Sequence, residues 1–261
     1  LRRDWEALLR FGSRGCLVAT RGDRVIGTIT TVGYQDRTGQ DRFHWIGMVM
    51  VDPAERRKGL GSRLLREALG LLGGDSTVRL DATPAGRPVY LKLNFADEYG
   101  LKRMETVVPG DLVSEPDNPA RPMTGADLQR VIETDYRVFG ADRGALLKWL
   151  FDESPGYAWV ISNGGQVLGY TFGRKGFNCE QLGPVIAETQ DIAKQLVVAC
   201  LRNHRNRPFI LDVLDHGPEW TCWLESTGFR EQRPFMRMVR GENRRPGLPE
   251  KQFAILGPEL G

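Results

Sequence analysis

Apolar and polar positions alternate along this chain in two periods, and the order of those periods is written twice. Residues 3–11 carry Trp5, Leu8, Leu9 and Phe11 at helical spacing. Strand-like runs follow near 16–20, 24–34 and 43–51, then a helix over about 61–72 with Leu64, Leu65, Ala68, Leu69 and Leu72 on one face. A strand at 77–82, a helix near 85–93 and a strand near 101–108 complete the first series. The stretch 109–122 holds Pro109, Gly110, Pro116, Pro119 and Pro122 and reads as a linker. Helices near 125–139 and 142–152 open the second series, with Thr124 as cap and Asp127 three residues on. Strands near 157–162, 166–174 and 179–187, a helix at 189–202, a strand at 208–213, a helix at 218–226 and a strand at 229–240 follow. In the Gly- and Pro-rich tail, Phe253-Ala254-Ile255-Leu256 reads as an added edge strand.

The repeat extends to particular residues. Leu17-Val18-Ala19-Thr20 and Val25-Ile26-Gly27 line up with Trp159-Val160-Ile161-Ser162 and Val167-Leu168-Gly169. Ile46-Gly47-Met48-Val49 resembles Leu182-Gly183-Pro184-Val185, and Arg79-Leu80-Asp81 resembles Ile210-Leu211-Asp212. Phe95 with Arg103-Met104 matches Phe229 with Arg237-Met238 at the same internal spacing. Blocks kept in one order point to duplication. Each half is α/β, with meander strands first and helix crossovers later, on a mixed sheet. The expected organisation is a first domain over 1–110, a linker over 111–123, a second domain over 124–241 and a tail over 242–261.

Composition narrows the picture further. A length of 261 residues suits one large or two ordinary domains, and 41% hydrophobic with 26% charged residues is ordinary for a globular protein. A net charge of +3 with no long basic block argues against nucleic acid, and no apolar run approaches a membrane span. Cys16, Cys179, Cys200 and Cys222 form no CxxC, which favours free thiols and a cytoplasmic setting. His44, His204 and His216 are far apart, so no metal is expected. The chain starts at Leu1 and not at Met, which leaves its N-terminus open.

The candidate chemistry lies in Val51-Asp52-Pro53-Ala54-Glu55-Arg56-Arg57-Lys58-Gly59-Leu60-Gly61-Ser62, where a strand feeds a basic loop that opens into a helix. The first amides of a helix have no internal partner and sit at the positive end of its dipole. Gly59 and Gly61 allow close backbone approach and unusual dihedrals, while Arg56, Arg57, Lys58 and Arg63 add charge. The ligand such a junction takes carries phosphate. The spacing is not that of a P-loop, which requires G-x-x-x-x-G-K-S/T.

Arg56-Arg57-Lys58-Gly59-Leu60-Gly61 fits the acyl-CoA signature R/Q-x-x-G-x-G/A, and with Val49-Met50-Val51-Asp52-Pro53 before it and Val89-Tyr90-Leu91-Lys92-Leu93-Asn94-Phe95 after it the chain resembles the GCN5-related N-acetyltransferases. Asn94 stands where that family usually has Gly. The resemblance covers residues 1–108 and reaches the second half through the repeat, so the whole looks like a two-domain bacterial acetyltransferase with tandem folds of this kind. It implies that amides from Arg57 through Lys58, Gly59, Leu60 and Gly61 to Ser62 cradle the pyrophosphate of acetyl-CoA, beside Arg56. It also implies that backbone groups at Val49 and Val51 bond the pantetheine arm as an added strand would. Tyr90 is then the acid that protonates the leaving sulfur, its other reading being a packed helix tyrosine. Asp81 and Glu180 are alternative proton acceptors for the amine, and Asp81 equally suits a turn or helix cap.

Carried across the repeat, Arg56, Gly59 and Gly61 fall on Ile192, Gln195 and Val197, and Tyr90 falls on Leu224. The second half thus keeps the pattern without the phosphate loop or the phenol, and is expected to shape the acceptor pocket. The expected activity is acetyl transfer to a primary amine of a small or amino-acid-like acceptor, with neither nucleic acid nor membrane as partner; a homodimer is admitted. Competing readings are an acyl-CoA sensor without turnover and a transferase using aminoacyl-tRNA, the latter disfavoured by the modest charge.

Overall fold

The computed structural model describes residues 2–107, 118–242 and 247–261, so most of the expected linker lies outside the described residues. In chain order the first elements are α1 (Arg2–Phe11), β1 (Leu17–Arg21), β2 (Arg24–Gln35), β3 (Asp41–Val51), α2 (Leu60–Leu72), β4 (Val78–Ala82), α3 (Arg87–Leu91) and β5 (Ala96–Val107). Then come β6 (Arg121–Pro122), α4 (Gly125–Phe139), α5 (Gly144–Glu153), β7 (Trp159–Asn163), β8 (Gln166–Arg174), β9 (Glu180–Ala187) and α6 (Gln190–Arg202). The last are β10 (Pro208–Leu214), α7 (Pro218–Ser226), β11 (Arg230–Arg240) and β12 (Gln252–Ala254). The expected mixed α/β architecture is present, with antiparallel pairs dominating.

The chain forms two compact units that are not contiguous halves. The first comprises Leu1–Glu98, Met236–Arg244 and Pro258–Gly261; the second comprises Tyr99–Phe235 and Arg245–Gly257. In the first unit β1, β2, β3 and β4 lie in that order, and Met236–Arg240 of β11 closes the sheet antiparallel to β4. In the second, β6 to β10 lie in sequence order and Leu101–Val107 of β5 runs antiparallel to β10. A cut at residue 110 therefore misassigns both strands. Backbone hydrogen bonds do not read side chains, and the two strands carry the same Arg-Met pair, so local pattern cannot say which sheet receives which strand.

In the first unit α2 packs Leu64, Leu65, Ala68 and Leu69 on Ile29, Ile46, Val78, Leu80 and Ala82 of the sheet. Strand side chains alternate between faces, so Trp45, Asp81 and Arg237 project from the other side. Asp81 and Arg237 form a buried fork there, Nε to Oδ1 at 2.8 Å and Nη2 to Oδ2 at 2.9 Å, and the guanidinium lies 4.6 Å from the Trp45 ring centre. The second unit holds the counterpart between Arg103 and Asp212, at 2.7 and 2.8 Å. Its core joins Leu196, Val197 and Cys200 of α6 to Val185, Leu211, Trp220 and Leu224. The tail strand is not an edge: β12 pairs with β9, which already lies between β8 and β10 in the sheet order. Among the described residues, no helix is long and apolar enough to cross a membrane.

Candidate functional site

Two features of the first unit splay its sheet ahead of the loop that follows β3. The register between β2 and β3 shifts between Thr28 and Thr30, which pair with Met50 and Gly47. Met48 has φ 49° there, and its carbonyl accepts the Thr28 hydroxyl at 2.8 Å. This is a bulge, and bulges bend and twist the strand that carries them. Just before it β3 leaves β4: the parallel pairing ends at His44 with Val78 and Trp45 with Arg79, although β4 continues to Ala82. Val49 and Val51, on the splayed length of β3, have no partner strand on the β4 side among the described residues.

The loop after β3 is built to leave its amides free. Asp52 uses its carboxylate on the Ala54 amide at 2.9 Å and on Arg24; the Ala54 hydrogen bond and the Arg24 charge hold that carboxyl below its usual range. Arg57 takes φ 65° and Gly59 φ 80°, both left-handed, so the chain turns sharply into α2. Gly59 is the N-cap and supplies no side-chain cap. Among the described residues, the N–H groups of Arg57, Lys58, Gly59, Leu60, Gly61 and Ser62 donate to no protein acceptor. A Cβ on Gly59 would meet nothing within 4 Å, and one on Gly61 would meet only the Val51 side chain at 3.5 Å.

The basic side chains are less uniform than their spacing suggests. Lys58 is 3.1 Å from Glu55, which also binds Arg21 at 2.7 Å. Arg56 turns its Nε back to the Val51 carbonyl at 3.1 Å. Arg57 and Arg63 are exposed. The backbone, more than the side chains, supplies the donors that this loop could offer to an anion.

Tyr90 comes from α3 on the face that α2 covers, edge-on to Phe95 with ring centres 5.9 Å apart. Burial pushes its phenol up to about 12, so the group is protonated at neutral pH. Among the described residues its hydroxyl has no protein partner, and it is not sealed from solvent. Asn94 takes φ 62°, and the Phe95 amide returns to the Tyr90 carbonyl at 3.2 Å. Asn tolerates the left-handed region better than other non-glycine residues, which is why it can stand in for Gly here. Asp81 is no base: it is fully buried in the fork with Arg237. Glu180 is no base either, because it is buried in the second unit, where it accepts the Tyr157 hydroxyl and faces Arg207 at 3.6 Å.

The second unit has the same fork in its sheet and fills it. β9 and β10 pair only at Glu180 with Phe209 and Gln181 with Ile210. Past that point β12 lies against β9, and the Ile255 N–H donates to the Asp212 carbonyl at 2.9 Å. The position corresponding to the splayed length of β3 thus holds the chain's own strand. Thr189 caps α6 by accepting from the Ile192 amide at 3.4 Å, so this helix start is also engaged. Leu224, opposite Tyr90 in the repeat, is core. Among the described residues, no group of three or more His, Cys, Asp or Glu is placed to hold a metal ion.

Comparisons with known proteins point the same way for both parts of the chain. A model of the acetyltransferase (GNAT) family matches residues 1–95, and a model described as an acetyltransferase (GNAT) domain matches residues 131–254. A holothin acyltransferase of Pseudoalteromonas sp. is 28% identical over 261 residues, covering 99% of this chain and 85% of that protein. An uncharacterised N-acetyltransferase of Bacillus subtilis is 26% identical over 191 residues, covering 69% and 67%. Among solved structures, a putative acetyltransferase from Pyrococcus horikoshii superposes with a TM-score of 0.79 at 22% identity, covering 99% of this chain and 84% of that one. A tandem GNAT protein from the clavulanic acid biosynthesis pathway gives 0.58 at 14% identity, covering 92% and 87%. At such identities the structural likeness establishes the fold.

Proposed function

The chain belongs to the GCN5-related N-acetyltransferase family and is an acyltransferase with two such domains; from that premise we propose that it transfers acetyl from acetyl-CoA to a primary amine of a small or amino-acid-like acceptor, using the first unit alone for the cosubstrate. The supporting observation is the run of free amides from Arg57 to Ser62 at the mouth of a splayed sheet. A diphosphate needs several donors at once, and a helix start with a left-handed glycine before it offers them without desolvating a side chain.

The thioester supplies an activated acyl carbon and a good leaving group; the protein supplies position and protons. The Arg57–Ser62 amides hold the diphosphate end. The edge of β3 at Val49 and Val51 orients the arm, which brings the acyl carbon to the bulge and reduces the barrier by removing freedom. A β3 amide there donates to the carbonyl oxygen as negative charge develops on it. The amine nitrogen bonds to the acyl carbon, the carbon–sulfur bond breaks, and Tyr90 gives its phenolic proton to the sulfur. A proton leaving the nitrogen restores Tyr90, and the second proton of the original ammonium goes to solvent.

The test is thiol release from acetyl-CoA against polyamines, amino acids, aminoglycosides and N-terminal peptides, with Gly61→Val as control. Turnover with at least one amine is expected, and the valine branch is expected to weaken acetyl-CoA binding by about tenfold, or ~1.4 kcal/mol. Binding of acetyl-CoA without thiol release across the panel would instead identify a sensor. Full affinity in Gly61→Val would move the cosubstrate away from this loop.

A further inference from the structure

The basic loop after β3 contains an acid, and the acid is buried. Glu55 is 8% exposed, while Ala54, Arg56, Arg57, Lys58 and Gly59 around it are all exposed. A carboxylate beside a run of amides that could hold an anion repels that anion, so its presence needs a reason. Its partners supply one. The Arg21 guanidinium grips both oxygens, Nη1 on Oε1 and Nη2 on Oε2, at 2.7 Å each. Such a fork fixes orientation as well as distance. Oε2 also accepts from the Lys58 ammonium at 3.1 Å. Arg24, which pairs with Arg21 at the end of the β1–β2 hairpin, holds Asp52 at the start of the loop. The end of the hairpin thus engages both acids of the loop.

The backbone shows what this bracing holds. Main-chain hydrogen bonds run from the Glu55 amide to the Asp52 carbonyl at 2.8 Å and from the Arg56 amide to the Pro53 carbonyl at 3.4 Å. Among the described residues, the next amides, Arg57 to Ser62, have no protein acceptor. Arg57 lies at φ 65°, a left-handed conformation that is unfavourable for a residue with a Cβ. The main chain therefore gives the turn no hydrogen bond where it is strained. Lys58 reaches back across Arg57 to Glu55, so side chains close the turn that the backbone leaves open.

We infer that Glu55 is a positioning residue: held by Arg21 and bridged to Lys58, its carboxylate keeps the Arg57–Ser62 amides aimed at the diphosphate of acetyl-CoA before the cosubstrate arrives. The inference rests on the acetyl-CoA-dependent reading above and deepens it. It makes the Lys58 ammonium a strut of the loop and leaves recognition of the diphosphate to the main chain. A loop already ordered in its binding conformation loses less freedom when the ligand enters, which raises affinity.

The experiment is calorimetric titration of the full chain with acetyl-CoA, for the wild type, Glu55→Gln, Lys58→Met and the double variant, with melting temperatures alongside. Positioning and simple charge predict opposite signs. Deleting a carboxylate near an anion and releasing a lysine tightens binding if charge alone matters. Positioning predicts that Glu55→Gln weakens binding by about tenfold, that Lys58→Met weakens it by a similar factor, and that the double variant is no worse than either single one. The Lys58 side chain is exposed, so Lys58→Met keeps the melting temperature of the wild type and reports on the strut even where Glu55→Gln lowers it. Equal or tighter binding by Glu55→Gln overturns the assignment and leaves the acetyl-CoA reading standing, as does unchanged binding by Lys58→Met. Additive losses overturn it too, because Lys58 then acts on the ligand independently of Glu55. Absence of acetyl-CoA binding by the wild type overturns both.

Discussion

Individual residues in the first unit separate chemical roles from structural ones. Tyr90 is a phenol whose pKa burial raises to about 12, in contact with Phe95 and with no protein partner for its hydroxyl among the described residues. A protonated donor is what a departing thiolate requires, so Tyr90→Phe is expected to lower kcat by about 10²-fold while acetyl-CoA affinity stays unchanged. Because the phenol titrates near 12, the wild-type kcat should show no Tyr90-dependent fall up to about pH 10. Unaltered turnover in the phenylalanine variant would remove Tyr90 from the reaction. Tyr90 became a candidate in the sequence through the resemblance of residues 89–95 to a segment of the GCN5-related N-acetyltransferases, and its catalytic role is a proposal. The packing of Glu259 on Gly47 was not legible, since nothing in the chain near either residue announces that approach.

At the scale of elements, helix starts decide what each helix can do. α2 begins with Gly59 and keeps its amides open, whereas α6 begins with Thr189 and α4 with Thr124. At α4 the Asp127 carboxylate accepts both Arg121 guanidinium nitrogens at 2.7 Å and the Thr124 amide at 2.9 Å. The Arg121 hydrogen bond, followed by those from Thr124, holds its pKa far below the usual carboxylate value. A carboxyl depressed by folding stabilises above its unfolded pKa, near 3.9, and that contribution fades as pH falls towards the folded value. Asp127→Asn should therefore lower stability by a constant amount above about pH 5, with the gap to the wild type closing below about pH 4. A gap that widens in acid, measured by urea titration, would contradict this account.

The ion pair on β4 and β11 belongs to the same scale. Both partners are sealed, with side-chain exposures of 0% for Asp81 and 2% for Arg237. Arg237→Met leaves a buried carboxylate without its partner and should cost about 3–5 kcal/mol. Replacing both, Asp81→Leu with Arg237→Met, should cost markedly less, because no orphan charge remains. Additive losses in this double-mutant cycle would show that the pair is not coupled. The sequence held a signal for it: Asp81 and Asp212 match in the repeat, as do Arg103 and Arg237. Charged residues at equivalent inward strand positions in both copies suggest partners, although not which Asp takes which Arg. Asp81 pairs with Arg237 and Asp212 with Arg103, so each fork joins residues from different copies of the repeat.

For the whole molecule, that crossing governs how the chain can be divided. The first unit needs Met236–Arg244 and Pro258–Gly261 besides its amino-terminal segment. A fragment of residues 1–122 lacks the strand that covers β4, leaves Asp81 buried without its arginine, and lacks Glu259 over Gly47. It should show no cooperative melting transition and no acetyl-CoA binding, and both should return on mixing with residues 123–261. A fragment 1–122 that melted cooperatively and bound acetyl-CoA alone would contradict the exchange.

The sequence by itself determined the element types and their order, the duplication, the basic loop with its two glycines before α2, and the absence of such a loop from the second copy. All of these rest on interactions between residues close in the chain: periodicity, helix starts, turn dihedrals and the bulk of side chains at matched positions. Only the tertiary structure decided which strand completes which sheet, that β12 fills the second fork while the first stays splayed, and that Glu259 lies on Gly47. Those outcomes depend on contacts between segments distant in the chain, over a hundred residues apart for β4 with β11 and for β5 with β10, where β5 and β11 offer the same pattern to either partner and the selection is made by packing and by the buried forks, not by any local preference.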